Sequence, residues 1–181
     1  AAVIIEPVSG SAGVIVPPKN YLQRLRKICD QHNILLVFDE VITGFARMGD
    51  TFAAQTFGVT PDLMNIAKGL TNGAIPMGAV ISSSKLYDAF MEVEQAEHMI
   101  ELPHGYTYSA HPVACAAALA ALDILQDDCM VAKSRALAPV LEDSLHNLQG
   151  TKHITDIRNF GLAGALQLAP RDGDPVVRPF E

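Results

Sequence analysis

Three short, largely apolar runs constrain this chain more than any other feature, because an ionisable residue follows each. Residues 1–5 read AAVII before Glu6, residues 34–38 read ILLVF before Asp39, and residues 63–67 read LMNIA before Lys68. Such runs, bounded by turn residues, are the pattern of strands covered on both faces in a parallel sheet. Between the first two, Tyr21, Leu22, Leu25, Ile28 and Cys29 recur at helical spacing, with Arg24, Arg26 and Lys27 outside the stripe and Pro18 as a start signal. The spacing predicts a helix of about four turns, ending near Asn33. Strand, helix, strand is a βαβ unit with a right-handed crossover. Ligands of an open parallel sheet bind beyond the carboxyl ends of its strands, so Glu6, Asp39 and Lys68 are delivered to one crevice.

Lys68 is the only lysine between Lys27 and Lys85, and Gly69 follows it at once. Lysine is costly to bury because desolvation disfavours its ammonium. A buried lysine here implies covalent chemistry or an ion pair. The ordinary alternative is a strand end whose head group snorkels to water.

The remaining segments are read from punctuation and period. Residues 43–49 form a glycine-bounded excursion, after which Asp50 or Thr51 caps a short helix through Phe57. Residues 79–81 are a further strand, and Ser82, Ser83 or Ser84 caps a helix carrying Leu86, Tyr87, Phe90 and Met91. Residues 92–102 read as a mobile surface loop and 104–112 as a polar-aromatic turn. An alanine-rich helix covers 113–125, and another runs to about Leu148 with Pro139 as a kink or restart. Residues 154–168 read as strands of a small domain, with 171–174 as its turn. The division expected is 1–125 for part of a large α/β domain and 126–181 for a linking helix and the start of a small α+β domain.

The net charge of −7 is the wrong sign for a nucleic-acid binder. No apolar run reaches the roughly 18 residues of a membrane span. Cys29, Cys115 and Cys129 are widely spaced and read as reduced, buried thiols, which makes the cytoplasm the default compartment. The chain opens on Ala1 inside an apolar run and stops at Glu181 without a polar tail, so it reads as an internal fragment of a longer protein.

Residues 38–45 (FDEVITGF), 66–70 (IAKGL) and 105–112 (GYTYSAHP) resemble successive signatures of the class III aminotransferases, and Glu6-Pro7 falls where that family has it. The turn at 46–49 and the tail 171–181 look closest to the omega-amino acid (beta-alanine):pyruvate aminotransferases. The resemblance implies the fold type I architecture of enzymes dependent on pyridoxal phosphate (PLP), with a mostly parallel sheet in the large domain. It also implies transfer of an amino group from an omega-amino acid or amine to a keto acid. The enzyme would be a homodimer or dimer of dimers with the site at the interface, with no nucleic-acid or membrane partner.

By the same resemblance, Lys68 would carry the cofactor as a Schiff base and then serve as the base in proton transfer. Asp39 would sit against the pyridine nitrogen. A unit charge pair at about 4 Å is worth about 4 kcal/mol at an effective dielectric of 20, before desolvation, enough to hold the ring protonated. Val41 and Ile42 would pack on the ring, and Thr107 would donate to the cofactor phosphate from the neighbouring subunit. Glu40 and Arg47 read as structural partners and His111 as a loop or cap residue; no metal is implied. The phosphate loop and ring-stacking aromatic would precede Ala1 and the carboxylate-binding arginine would follow Glu181, leaving the fragment inactive alone.

Three other readings compete. An aminomutase, racemase or decarboxylase would use the same cofactor and fold. Residues 35–40 have the form of a Walker B strand, but an ATPase needs a G-x-x-x-x-G-K-[ST] loop and none is present. A non-catalytic interaction module would not need Asp39 and Lys68.

Overall fold

The computed structural model describes residues 1–93, 98 and 102–170. The expected turn at 171–174 and most of the expected loop at 92–102 lie outside them. Strands β1 (Ala2–Ile5), β2 (Leu35–Asp39), β3 (Leu63–Ile66) and β4 (Ala79–Ser82) form one sheet in that order. The first three are parallel, with Ile5 beside Phe38 and Asp39 beside Asn65, whereas β4 runs antiparallel to β3. The link 67–78 holds a 3-10 turn and no crossover helix of the kind that returns a chain parallel, so β4 pairs antiparallel.

Helix α1 (Tyr21–Gln31) spans eleven residues, shorter than the four turns expected, because Asn20 enters it in a left-handed conformation (φ 62°) and His32 closes it. Its stripe buries Leu22 and Cys29 against Leu36 and Phe38 of β2, with Ala54 and Val59 closing the cluster. Strand β2 alternates half-buried and buried residues, β1 alternates exposed and half-buried ones, and all four residues of β4 are exposed. The described residues therefore cover one face of the sheet, not both as the apolar runs imply. Asp62 ties α1 to the sheet: its Oδ2 accepts the Leu36 N–H at 2.8 Å and the Arg26 guanidinium at 2.7 Å. Burial alone would push the Asp62 carboxyl up, but the Leu36 amide and the Arg26 charge outweigh it and hold the group below the usual range. Burial likewise opposes the Arg26 charge, and Asp62 and Asp30 more than compensate, so the guanidinium is raised.

Helices α2 (Ala53–Thr56) and α3 (Ser84–Met91) are short; α4 (Pro112–Asp127) and α5 (Met130–His146) are long and separated at Cys129, which is left-handed (φ 53°). Cys29 is buried as expected, but Cys129 is exposed at this break. Pro139 lies inside α5, which neither stops nor restarts there. Ser83 occupies the N-cap of α3, yet its hydroxyl is buried without a partner and makes no cap. Strands β5 (Ile154–Phe160) and β6 (Ala163–Leu168) pair as a separate antiparallel hairpin. Phe160, Ala163 and Ala165 pack on Val8, Val14, Met48 and Ala53, joining the hairpin to the loops above the main sheet. No helix among the described residues is long and apolar enough to cross a membrane.

Candidate active site

Because β1, β2 and β3 are parallel, the segments that leave them meet at one edge of the sheet. The loop after β1 reaches Ile42, where a Cβ on Gly10 would stand 2.8 Å from two of its side-chain carbons. Glu6 holds that loop by accepting the Gly10 N–H at 3.0 Å. Its carboxylate thus serves the loop, whereas the strand-end pattern offered it to a ligand.

Asp39 ends β2, half-buried, and its Oδ1 accepts the Val41 N–H at 3.1 Å. Asn65, its partner on β3, precedes Lys68 by three positions. Lys68 does not continue the strand. It opens a 3-10 turn over Lys68–Thr71 with φ 49°, a left-handed conformation rare for a residue with a side chain. The residue is exposed, in contrast to the buried amine expected, because this turn leads the chain off the end of the sheet. Lys68, Val41 and Ile42 line one cavity of about 630 Å³, walled by Ala117, Ala120 and Ala121 of α4. Asp39 stands at the same edge of the sheet but does not line that cavity, and Thr107 lies outside it, in an exposed turn before α4. His111 is the N-cap residue of α4 and makes no side-chain cap.

The excursion from Val41 to Phe52 is built around Glu40, which is completely buried. Glu40 Oε2 accepts the Thr43 hydroxyl at 2.5 Å and the Ala53 N–H at 2.9 Å, and Oε1 accepts the Ala54 N–H at 2.7 Å. The cap of α2 is therefore this distant carboxylate and not Asp50 or Thr51; the residue before the helix is Phe52. Asp50 instead accepts the Thr56 hydroxyl at 2.9 Å and pairs with Arg135 of α5. The Arg47 side chain is exposed and lines the cavity, while its carbonyl accepts the Leu162 N–H at 2.8 Å. Glu40 is thus the structural partner that the sequence reading expected, but nothing in the sequence names Ala53 and Ala54, thirteen and fourteen residues on, as the groups it holds.

Together these residues offer an amine, a carboxylate and two branched apolar side chains at one sheet edge. That set can hold a flat, electron-poor ring and bond to an aldehyde beside it.

Comparison with known proteins places this edge in a family. The sequence matches the family described as aminotransferase class-III over residues 1–177. It is 70% identical over all 181 residues to a beta-alanine–pyruvate aminotransferase of Pseudomonas aeruginosa. It is 65% identical, again over the whole chain, to an omega-amino acid–pyruvate aminotransferase of Pseudomonas putida. The chain spans 40% of the length of each. Among solved structures, an amine transaminase from an uncultivated Pseudomonas species in a PLP-bound form is similar at TM-score 0.85 and 45% identity, covering 93% of this chain and 38% of that one. These findings rule out the ATPase reading, and the chain belongs to the class III aminotransferases.

Proposed function

We propose that the whole protein moves the amino group of an omega-amino acid such as beta-alanine onto a keto acid such as pyruvate, using pyridoxal phosphate. The observation that carries this reading is the shared cavity of Lys68, Val41 and Ile42, with Asp39 closing the neighbouring strand. The two Pseudomonas relatives support the choice of substrates. Bound pyridoxal phosphate supplies an aldehyde that condenses with amines and a protonated ring that withdraws electrons from the carbon bearing the substrate nitrogen.

In this reading Lys68 Nζ holds the cofactor, and once displaced by the substrate amine it takes and returns the proton as general base. Asp39 is oriented by the Val41 N–H on Oδ1, which leaves Oδ2 for the ring N–H. Val41 and Ile42 bear on the ring, and Gly10 keeps Ile42 in place. Thr107 sits between Tyr106 and Tyr108, exposed by 79% and 80%. Aromatic residues so placed favour a loop that meets a second copy of the protein, where Thr107 would grip the cofactor phosphate. We keep 1–125 and 126–181 as the two parts of the chain, and the free cysteines favour a reducing compartment such as the cytoplasm.

Borohydride reduction of the whole protein with its cofactor, followed by peptide mass spectrometry, tests the assignment. The expected product is a pyridoxyl group on residue 68, absent from Lys68→Ala. A label on another lysine overturns it.

A further inference from the structure

The lysine turn is pressed from above by a ring. A Cβ on Gly69 would lie 2.7, 2.8 and 2.9 Å from Phe45 Cβ, Cδ2 and Cγ, and Phe45 supplies the three nearest atoms it would meet. The residue after Lys68 is therefore in direct van der Waals contact with Phe45, and no larger residue fits while the ring stays in place.

Phe45 is itself held in a costly conformation. It has φ 56° and Ala46 has φ 70°, two consecutive left-handed residues without glycine. Such backbone persists only where its surroundings determine it, and here four contacts do so. The Phe45 N–H donates to the Thr51 carbonyl at 2.6 Å, and the Phe45 ring meets Phe52 edge-on at 5.4 Å. The Ser134 hydroxyl of α5, itself buried, donates to the Ala46 carbonyl at 2.5 Å. The turn between β5 and β6 adds the Leu162 N–H on the Arg47 carbonyl.

We infer that Phe45 is a positioning residue for Lys68. With the next two residues held through their carbonyls by Ser134 and Leu162, the Phe45 side chain fixes the Gly69 backbone and so the left-handed turn from which the lysine amine departs. This rests on the reading of Lys68 given above. Neither Phe45 nor Ser134 needs to touch the reacting atoms, because displacing a reactive group by about 1 Å costs on the order of 100-fold in rate.

A double-mutant cycle in the complete holoenzyme tests it, with kcat, KM for the amino donor and the pH midpoint of the bound cofactor's visible absorption as readouts. Gly69→Ala lowers kcat by roughly 10- to 100-fold with KM little changed, and moves the pH midpoint, because the new methyl drives the turn off the ring. In a Phe45→Gly background, which removes the Cβ together with the ring and suits the left-handed φ of 56°, the same methyl no longer meets those three atoms, so its effect falls several-fold, and Phe45→Ala, which keeps the Cβ at 2.7 Å, lies between. Equal effects of Gly69→Ala in both backgrounds, or an unmoved midpoint, overturn the inference. Should Phe45→Gly fail to fold, Gly69→Ala and Ser134→Ala decide: both lower kcat and shift the midpoint, and unchanged values in both sink the idea. Borohydride labelling of residue 68 in each variant separates the two failures. If the label is absent in the wild type the reading of Lys68 fails, and if it is present with no coupling only the role of Phe45 fails.

Discussion

Glu40 accepts the Ala54 N–H at 2.7 Å from a completely buried position, fourteen residues back along the chain. With the Thr43 hydroxyl and the Ala53 N–H on its other oxygen, it replaces the local cap that α2 lacks. Glu40→Gln puts an amide NH2 against donors and is expected to destabilise the fold by about 2 to 3 kcal/mol. Glu40→Ala, which abandons all three donors, is expected to cost more, about 3 to 5 kcal/mol. Denaturant midpoints of the two variants check both the size and the order.

Asp39→Asn separates charge from shape. The amide oxygen can still accept the Val41 N–H, so the loop and the fold stability stay nearly unchanged. The charge proposed to face the ring nitrogen is lost, and kcat is expected to fall by on the order of 100-fold or more. A variant retaining more than half the wild-type kcat would contradict the assignment of Asp39.

Asp62 makes stability depend on acidity in a defined direction. Its folded pKa is depressed, so its contribution is complete above the ordinary aspartate value of about 3.9 and is lost as pH falls through the lower folded value. The raised Arg26 contributes throughout that range, since arginine stays protonated. Asp62→Asn should therefore cost about 2 kcal/mol at neutral pH and lose less further stability than wild type on acidification. Urea titrations at neutral pH and in acid make the comparison.

The 181-residue chain on its own is expected to turn over no beta-alanine with pyruvate. Its Lys68 is exposed, and its Thr107 lies outside the cavity that Lys68 lines. Formation of alanine above a no-enzyme control would show that these residues suffice.

Much of the framework was legible because its signals are local. Apolar runs gave β1, β2 and β3, period gave α1, and the residues that follow or end the second and third runs, Asp39 and Lys68, stand where the parallel strands end. What was not legible depends on residues distant in sequence. No spacing rule links Glu40 to Ala53 and Ala54, because the acceptor precedes the helix by a whole loop. The left-handed Phe45 and Ala46 carry no glycine signal, and the Ser134 hydroxyl that binds Ala46 comes 88 positions later. Pro139 reads as a break because it removes one helical hydrogen bond. The preceding turn of α5 is anchored through Ser134 to Ala46 and through Arg135 to Gly49, and that anchoring offsets the loss.

The docking of the β5–β6 turn on Arg47 bears on how this protein can be recombined. By sequence the excursion after Asp39 belongs with the first sheet, yet its far end is gripped by α5 and by the hairpin. A chimera whose crossover falls in the break at Cys129 would pair one parent's segment 44–50 with the other parent's α5 and hairpin. Exchanging both stretches as a unit keeps the matched surfaces in a single parent.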